Sequence, residues 1–330
     1  MVIWMRSPIV FVLIAAATGA EVDTGRNQPN GLLVDYYPAF CRPAAYPSPS
    51  FGLVIFGEGK HQSSVEIPLR LEFLTYANDG RALYALSATK KPICVYKIEL
   101  NPVQIAQVGC PNGLATVFSF ASSASGDRLL ISGHFQQDGV ARCGVFQIRL
   151  PEGTARQILR NEDCGAYRYE DSWKSLSMSP NTGQAVAVRR NRLELIDIGN
   201  GTSRTVADGI LKAAWSPDGR WIAAVTTHER TELISTGDFR KKRTLAESEG
   251  QWSPDSRYLL RIKSCFFPIA VNGVGTVQAL DIDTGKSVTV ESSRCAVDFF
   301  STGWVRSGAP GTHGTGSVPS SSGGKRAGGN

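Results

Sequence analysis

Short apolar runs of about five or six residues recur along most of the chain, and turn-forming residues separate them. Runs of this length predict β-strands, and almost no stretch shows the apolar spacing of three and four that indicates a helix. The clearest strands are expected at residues 221–226, 231–235 and 243–246. The pattern therefore predicts an all-β protein.

This strand pattern is repeated. Residues 215–220 read Trp-Ser-Pro-Asp-Gly-Arg, and residues 252–257, 37 positions later, read Trp-Ser-Pro-Asp-Ser-Arg. Pro presets the first torsion of a turn, Asp caps the turn with its side chain, and Gly accepts a positive φ. Three earlier turn signals, at 78–80, 125–127 and 180–183, extend the same unit to five copies. Repeats built from short strands are typical of stacked or closed arrays.

Each unit offers four strands joined by turns, which is the pattern of a β-propeller blade. A β-sandwich is the alternative, but it does not explain the regular recurrence. We expect six blades, with seven as the alternative. Residues 297–301 are predicted to begin the sixth blade, and strands at 31–36, 51–56 and 65–70 are predicted to complete it. Closure of this kind would hide the sheet edges that an open array exposes.

The repeats at 215–220 and 252–257, together with Asp-Ile-Asp-Thr-Gly-Lys at 281–286, resemble the WD-like propeller repeat of the TolB family. The similarity is also visible over residues 176–206 and is lower in the two earlier units. This resemblance implies a propeller fold. The chain departs from TolB itself because there is no room before the first repeat for TolB's N-terminal α/β domain, so TolB's cell-envelope role is not carried over.

Both ends of the chain differ from the repeats. Residues 1–20 combine Arg6, an apolar run at 9–17 and small residues before a cleavage site after Ala20, which predicts a secretory signal peptide. The apolar run is about half of the roughly 20 residues that a membrane span needs. We therefore expect an exported protein, periplasmic or secreted, with no membrane span. A propeller is predicted over 21–306, and residues 307–330 are predicted to be a disordered Gly/Ser-rich tail or a truncated repeat.

The excess of positive charge is largely a property of the ends. Removing Arg6, Arg306, Lys325 and Arg326 from the 35 Lys and Arg residues leaves 31, against 29 Asp and Glu. A nucleic-acid-binding domain would carry a basic patch on its folded body. The only candidate run is 240–243, which we interpret as a solvated turn, so no nucleic-acid partner is expected.

Seven cysteines remain after the predicted signal peptide: Cys41, Cys94, Cys110, Cys143, Cys164, Cys265 and Cys295. Export favours disulfides, and reduced buried cysteines are the alternative. The sequence contains no C-x-x-C pair, so the spacing of the cysteines does not indicate a zinc or redox site. We letter the strands of each blade A to D from the inside outward. The first two predicted bonds each join the start of a C strand to the end of the neighbouring D strand: Cys94–Cys110 and Cys143–Cys164.

The third predicted bond, Cys265–Cys295, is less direct because a strand lies between the two residues, and Cys41 is left over. All six paired cysteines are expected at the end of the blades that carries the B–C and D–A connections. The long connections, 161–174 and 264–275, lie at the same end, and such loops concentrate binding residues.

The best single binding element is predicted in the 161–174 connection. Aromatic residues and Arg are favoured at binding hot spots. The predicted binding residues are Tyr167, Arg168, Tyr169 and Trp173. In the alternative interpretation these rings only cover the edge of the blade.

No motif of a serine hydrolase, zinc protease or nucleotide-binding loop occurs in the sequence. The histidines are scattered: His61, His134, His228 and His313. A metal-dependent lactonase or other hydrolase is the alternative function, for which Asp171, Glu194 and Asp298 are candidate ligands that no spacing selects. We expect instead a monomeric binding module without cofactor, rather than an enzyme, that recognises a protein, peptide or glycan.

Overall fold

The protein is described here by a computed structural model. The described residues are 32–37, 51–56, 62–67, 72–76, 82–87, 91–100, 103–123, 125–137, 139–165, 169–246, 248, 250–263, 275–293 and 303–305. They form 23 β-strands and one short 3-10 helix, Tyr169–Asp171. The predicted signal peptide and tail lie outside them. No helix in these ranges is long and apolar enough to cross a membrane.

The strands form six antiparallel sheets, numbered I to VI. Sheet I contains β1 (Leu32–Tyr37), β2 (Phe51–Phe56) and β3 (Gln62–Ile67). Sheet II contains β4 (Glu72–Tyr76), β5 (Ala82–Ser87), β6 (Cys94–Leu100) and β7 (Val103–Gly109). Sheet III contains β8 (Leu114–Ser122), β9 (Arg128–Gln137), β10 (Val140–Arg149) and β11 (Thr154–Arg160).

The remaining strands continue the same order. Sheet IV contains β12 (Lys174–Met178), β13 (Gln184–Arg189), β14 (Arg192–Asp197) and β15 (Thr202–Asp208). Sheet V contains β16 (Ile210–Trp215), β17 (Trp221–Thr226), β18 (Thr231–Ser235) and β19 (Lys241–Leu245). Sheet VI contains β20 (Tyr258–Lys263), β21 (Gly275–Asp281) and β22 (Ser287–Ser293).

Sheet I joins strands from the two ends of the chain. The last strand, β23 (Gly303–Val305), is antiparallel to β1, with Val305 opposite Leu32 and Gly303 opposite Val34. The C-terminal strand described lies at 303–305, and the predicted strand at 297–301 is outside the described ranges. Within those ranges five sheets have four strands and sheet VI has three, so the prediction of six or seven four-stranded blades is not met.

Burial follows the radial order expected of a propeller. The second strand of sheet IV, β13, is buried along its interior, while the fourth strand, β15, is exposed over most of its length. Sheet V shows the same contrast between β17 and β19. A strand buried on both faces reads as a continuous apolar run, and an outer strand does not.

The core consists of apolar clusters between successive sheets from II to VI. Each pair of sheets contributes large side chains to one cluster, as in Leu86 with Phe146, Leu130 with Trp173, Val186 with Trp215, and Leu233 with Leu280. The inner strands are also linked by hydrogen bonds, because the Trp215 N–H donates to Ser177 Oγ at 2.9 Å. The architecture is an all-β propeller with four-stranded blades.

The Ser-Pro-Asp turns join strands A and B. In sheet V, Ser216 Oγ donates to Asp218 Oδ1 at 2.7 Å and accepts a hydrogen bond from the Trp221 N–H at 2.9 Å. Gly219 follows with φ 77°, and Ser256 takes the equivalent place in the next sheet with φ 62°. The Ser256 hydroxyl accepts a hydrogen bond from the Asp218 N–H at 2.9 Å. The turns of adjacent sheets are thereby tied together.

Candidate functional site

We call the end with the A–B and C–D connections the turn end, and the opposite end, with the B–C and D–A connections, the loop end. At the turn end, short tight turns such as 216–219 close the strands. At the loop end, the longest connection that lies mainly in described residues is the 161–173 segment between β11 and β12, of which 166–168 are outside the described ranges. The candidate site is therefore built on the 161–173 segment.

Disulfides fix two connections of the loop end. Cys143 is bonded to Cys164 with a Cα–Cα distance of 5.4 Å, and the Asn161 N–H donates to the Cys143 carbonyl at 3.0 Å. Cys94 is bonded to Cys110 with a Cα–Cα distance of 4.1 Å. Both bonds confirm their predictions. Cys41, Cys265 and Cys295 lie outside the described residues.

Trp173, at the end of the 161–173 segment, packs into the core. It is 2% exposed and belongs to the apolar cluster between sheets III and IV. Its Nε1 donates to Glu194 Oε2 at 2.7 Å, and the guanidinium of Arg189 lies 4.2 Å from its ring centroid. The sequence predicted Trp173 as a binding residue, and the structure places its ring in the cluster between sheets III and IV.

Tyr169 occupies the opposite position, on the outside of the segment. It is 54% exposed. The Lys174 ammonium lies 4.0 Å from its ring centroid, and the ring of Phe118 on the inner strand β8 lies 6.3 Å away. The Ser172 hydroxyl donates to the Tyr169 carbonyl at 2.7 Å. An exposed aromatic ring is thus held at the loop end by neighbours on two inner strands.

Two further apolar side chains share this exposure. Across the described residues, the large hydrophobic side chains that are exposed are Val140 at 55%, Tyr169 at 54% and Leu211 at 43%. Val140 follows a B–C connection and Leu211 follows a D–A connection, so all three lie at the loop end. Sequence reasoning missed Val140 and Leu211. The available signal was an apolar residue at the very start of a strand, beside a connection.

The other predicted residues divide into those that the structure describes and those that it does not. Tyr167, Arg168 and Asp298 lie outside the described residues, as do His61 and His313. Asp171 Oδ1 is 2.7 Å from Arg190 Nη2, and Glu194 accepts the hydrogen bond of Trp173. His228 is exposed in a B–C turn, whereas His134 lies within β9. The described ranges contain no group of three metal-ligating side chains.

The basic run at 240–243 is not a single solvated turn. Residues from Lys241 onward form β19, the outermost strand of sheet V. Lys241 Nζ lies 2.6 Å from Glu232, and Arg243 donates to the Ile282 carbonyl at 2.6 Å. These charges are engaged in contacts within the fold.

No protein-family model and no curated protein sequence matches the chain. Among solved structures it is similar to TolB from Acinetobacter baumannii, with a TM-score of 0.53 and 14% identity over 83% of this chain and 66% of that one. It is also similar to a putative TolB from Agrobacterium tumefaciens, with a TM-score of 0.49 and 15% identity over 81% of this chain and 90% of that one. An oligogalacturonate lyase in complex with manganese has a TM-score of 0.45 and 16% identity, over 81% of this chain and 75% of that one.

The first of these likenesses shows the fold. The chain spans 66% of the Acinetobacter TolB, slightly less than two thirds of its length. At 14% identity the similarity concerns architecture alone, and it agrees with the resemblance carried by the Trp-Ser-Pro-Asp repeats. The chain is a TolB-like β-propeller in fold.

Proposed function

We propose that the protein is an exported β-propeller binding module whose loop end recognises a protein, peptide or glycan partner. The observation that carries this proposal is the common location of Val140, Tyr169 and Leu211, the exposed large hydrophobic side chains of the described residues. Contiguous exposed apolar patches mark interaction sites, and these three side chains share the loop end of the fold. The turn end offers no such side chain within the same ranges.

The contacts of the described parts of the 161–173 segment, 161–165 and 169–173, support the same conclusion. The Cys143–Cys164 bond fixes the first part. The second part is fixed by Arg189 Nε, which donates to the Asp171 carbonyl at 3.0 Å, and by the buried ring of Trp173. Residues that are held in place before binding lose less conformational entropy on binding, which raises affinity. We include Tyr167 and Arg168 in the binding surface together with Tyr169, and assign Trp173 to their support.

The proposal includes the organisation of the whole chain. Residues 1–20 are removed as a signal peptide, 21–306 form a monomeric propeller, and 307–330 form a tail. The two disulfides are compatible with export. We assign the inner strand of a sixth four-stranded blade to residues 250–253, because Trp252 forms a bridge to Leu259 and the Leu260 N–H donates to the Gln251 carbonyl at 2.8 Å.

The test is a binding selection on the purified mature protein. A displayed peptide library and a glycan array serve as probes, and the retained ligands are titrated against the variants Tyr169→Ser and Glu152→Ala. Glu152 is exposed in the C–D turn of sheet III, at the turn end, and serves as the control. We expect Tyr169→Ser to weaken binding at least tenfold, as for a hot-spot aromatic, and Glu152→Ala to leave it unchanged.

Two outcomes would contradict the proposal. One is equal binding by the wild type and by Tyr169→Ser, and the other is the absence of any saturable ligand in both libraries. Metal analysis of the same preparation gives an independent readout. Stoichiometric Ca²⁺ or Zn²⁺, with hydrolysis of lactones that chelation abolishes, would establish the metal-dependent hydrolase instead.

A further inference from the structure

A basic groove lies at the turn end of sheet III, at the opposite end of the fold from the proposed binding surface. Its volume is about 260 Å³. The lining consists of Arg128, Gln147, Arg149, Thr154, Ala155 and Arg156. Three of the six residues are arginines, and the lining contains no acidic residue.

The strand register places these cations together. Arg149, the last residue of β10, is directly opposite Arg128 on β9 and opposite Thr154 on β11. Gln147, two residues before Arg149 on β10, is opposite Arg156 on β11. Residues two apart on a strand share a face, so the Gln147–Arg156 pair and the Arg149–Thr154 pair lie on one face of the sheet. Like charges directly opposite each other in an antiparallel pair are destabilising. Nothing in the folding of sheet III requires a cation at Arg149.

The three guanidinium groups differ in how they are engaged. Arg156 Nη2 donates to the Ile198 carbonyl at 2.7 Å, which fixes it at the seam with sheet IV. Arg128 Nε forms an ion pair with Asp127 Oδ2 at 3.5 Å. The Arg149 side chain is exposed, and its guanidinium has no ion pair or hydrogen bond with any residue that the structure describes.

Asp127 balances one of the three cations and no more. Its Oδ1 accepts hydrogen bonds from the hydroxyls of Ser125 and, at 2.9 Å, Ser123. The Ser125 hydrogen bond contributes most to lowering the pKa of this carboxyl, which therefore remains ionised but directed to its own turn. The groove keeps a net positive charge that an anion would balance.

We propose that this groove is an oxyanion-binding site, for a carboxylate, phosphate or sulfate group, separate from the loop end. Guanidinium groups bind such oxyanions through parallel N–H donors, and the bonds are stronger than those between neutral groups. Arg149 supplies the principal contact, Arg128 the second guanidinium, and the Thr154 hydroxyl an additional donor. Arg156 positions the groove wall through its bond to the next sheet.

In the test, the mature protein is titrated with sodium phosphate, sodium sulfate and sodium acetate. Sodium chloride keeps the ionic strength constant in every titration. Calorimetry measures the affinity and thermal unfolding measures stabilisation, which follows from mass action when the ligand binds only the folded state. The test variant is Arg149→Gln. The control is Arg142→Gln, which removes the same charge from an exposed position near the other end of β10.

We expect at least one anion to bind, with affinity at least tenfold lower in Arg149→Gln and unchanged in Arg142→Gln. Binding of acetate identifies a carboxylate site, and binding of phosphate or sulfate alone identifies a tetrahedral oxyanion site. Without anions, Arg149→Gln should melt no lower than the wild type, because it removes a repulsion. No anion binding, equal weakening in both variants, or a lower melting temperature of Arg149→Gln without anions would overturn the proposal.

Discussion

At the scale of single residues, a buried serine rather than the proline or aspartate organises four of the A–B turns. The serines are Ser123, Ser179, Ser216 and Ser253, each at most 2% exposed. Each hydroxyl donates to an Asp or Asn of its own turn and accepts the N–H that starts the following strand. The sequence has the serine in four of the five copies and Ala77 in the first, but the burial of the serine depends on the packing of the neighbouring sheet.

The first prediction concerns Ser216. Replacing Ser216 by Ala removes both hydrogen bonds of a fully buried hydroxyl, and leaves Asp218 and the Trp221 N–H without that partner. We expect the free energy of unfolding to fall by about 2 kcal/mol. Urea denaturation measures it, with Ser203→Ala in the exposed strand β15 as the control. Equal losses in the two variants would show that the hydroxyl is not structural.

The second prediction concerns pH. Burial raises the pKa of Asp281, but the N–H groups of Thr284 and Asp283 and the Arg257 guanidinium outweigh it, so the pKa lies below its ordinary value. A lowered pKa in the folded state means that protonation favours unfolding. The stabilisation of the folded state by the ionised Asp281 carboxylate is fully present above about pH 4 and is lost as the pH falls through the folded-state pKa.

Asp281→Asn should therefore reduce the loss of stability between pH 5 and pH 2, while lowering stability at pH 7. Asp208→Asn provides the control, since that carboxyl is 78% exposed. Denaturation curves at a series of pH values measure the effect. An unchanged acid profile in Asp281→Asn would contradict the assignment.

At the scale of elements, strands could be predicted where both faces are buried. The predicted strands 221–226 and 231–235 coincide with β17 and β18, but the prediction of 243–246 differs from β19, Lys241–Leu245. The reason is that β19 is the outer strand, with its first four residues exposed, so no apolar pattern marks its start.

The 161–173 segment shows a different limit. Its composition indicated a binding element, yet the sequence could not separate Tyr169, which is exposed, from Trp173, which is buried. Both residues are aromatic with a polar group on the ring. Which ring faces inward depends on the cluster between sheets III and IV and on the acceptor at Glu194, and a single sequence does not place those partners beside the segment.

The third prediction concerns the Cys143–Cys164 bond. Replacing both cysteines by Ala releases the first part of the 161–173 segment. We expect a loss of about 3 kcal/mol, as for a loop of this length, and faster proteolysis within the segment. Unfolding curves and limited proteolysis followed by mass spectrometry measure these effects, with the Cys94 and Cys110 double variant as the comparison. Cleavage at the wild-type rate, or a native bond between Cys94 and Cys143, would contradict the structure.

At the scale of the whole molecule, arginines of the outer strands tie each sheet to the next. Arg156 donates to the Ile198 carbonyl at 2.7 Å, and Arg243 donates to the Ile282 carbonyl at 2.6 Å. Between them, the guanidinium of Arg204 lies 4.8 Å from the ring centroid of Phe239. In each case an outer strand contacts the C–D turn of the following sheet. These contacts therefore link sheets III to VI in the order in which the repeats follow one another along the chain.

The fourth prediction concerns closure through sheet I. Deleting residues 303–330 removes β23 and exposes the edge of β1, whereas deleting 307–330 removes only the predicted tail. Exposed edges pair with other chains, so we expect the longer deletion to lower the melting temperature and to cause oligomerisation. Light scattering coupled to size exclusion, with thermal unfolding, compares the two. Identical behaviour of both deletions would show that β23 does not contribute to closure.

The central claim is that the partner binds at the loop end of the propeller. Hydrogen–deuterium exchange of the mature protein, with and without the ligand obtained by selection, tests this claim most directly. We predict that the ligand slows exchange in the 161–173 segment and at the starts of β10 and β16, and leaves the Ser-Pro-Asp turns unchanged. Slower exchange confined to the turn end, with the 161–173 segment unaffected, would contradict the claim.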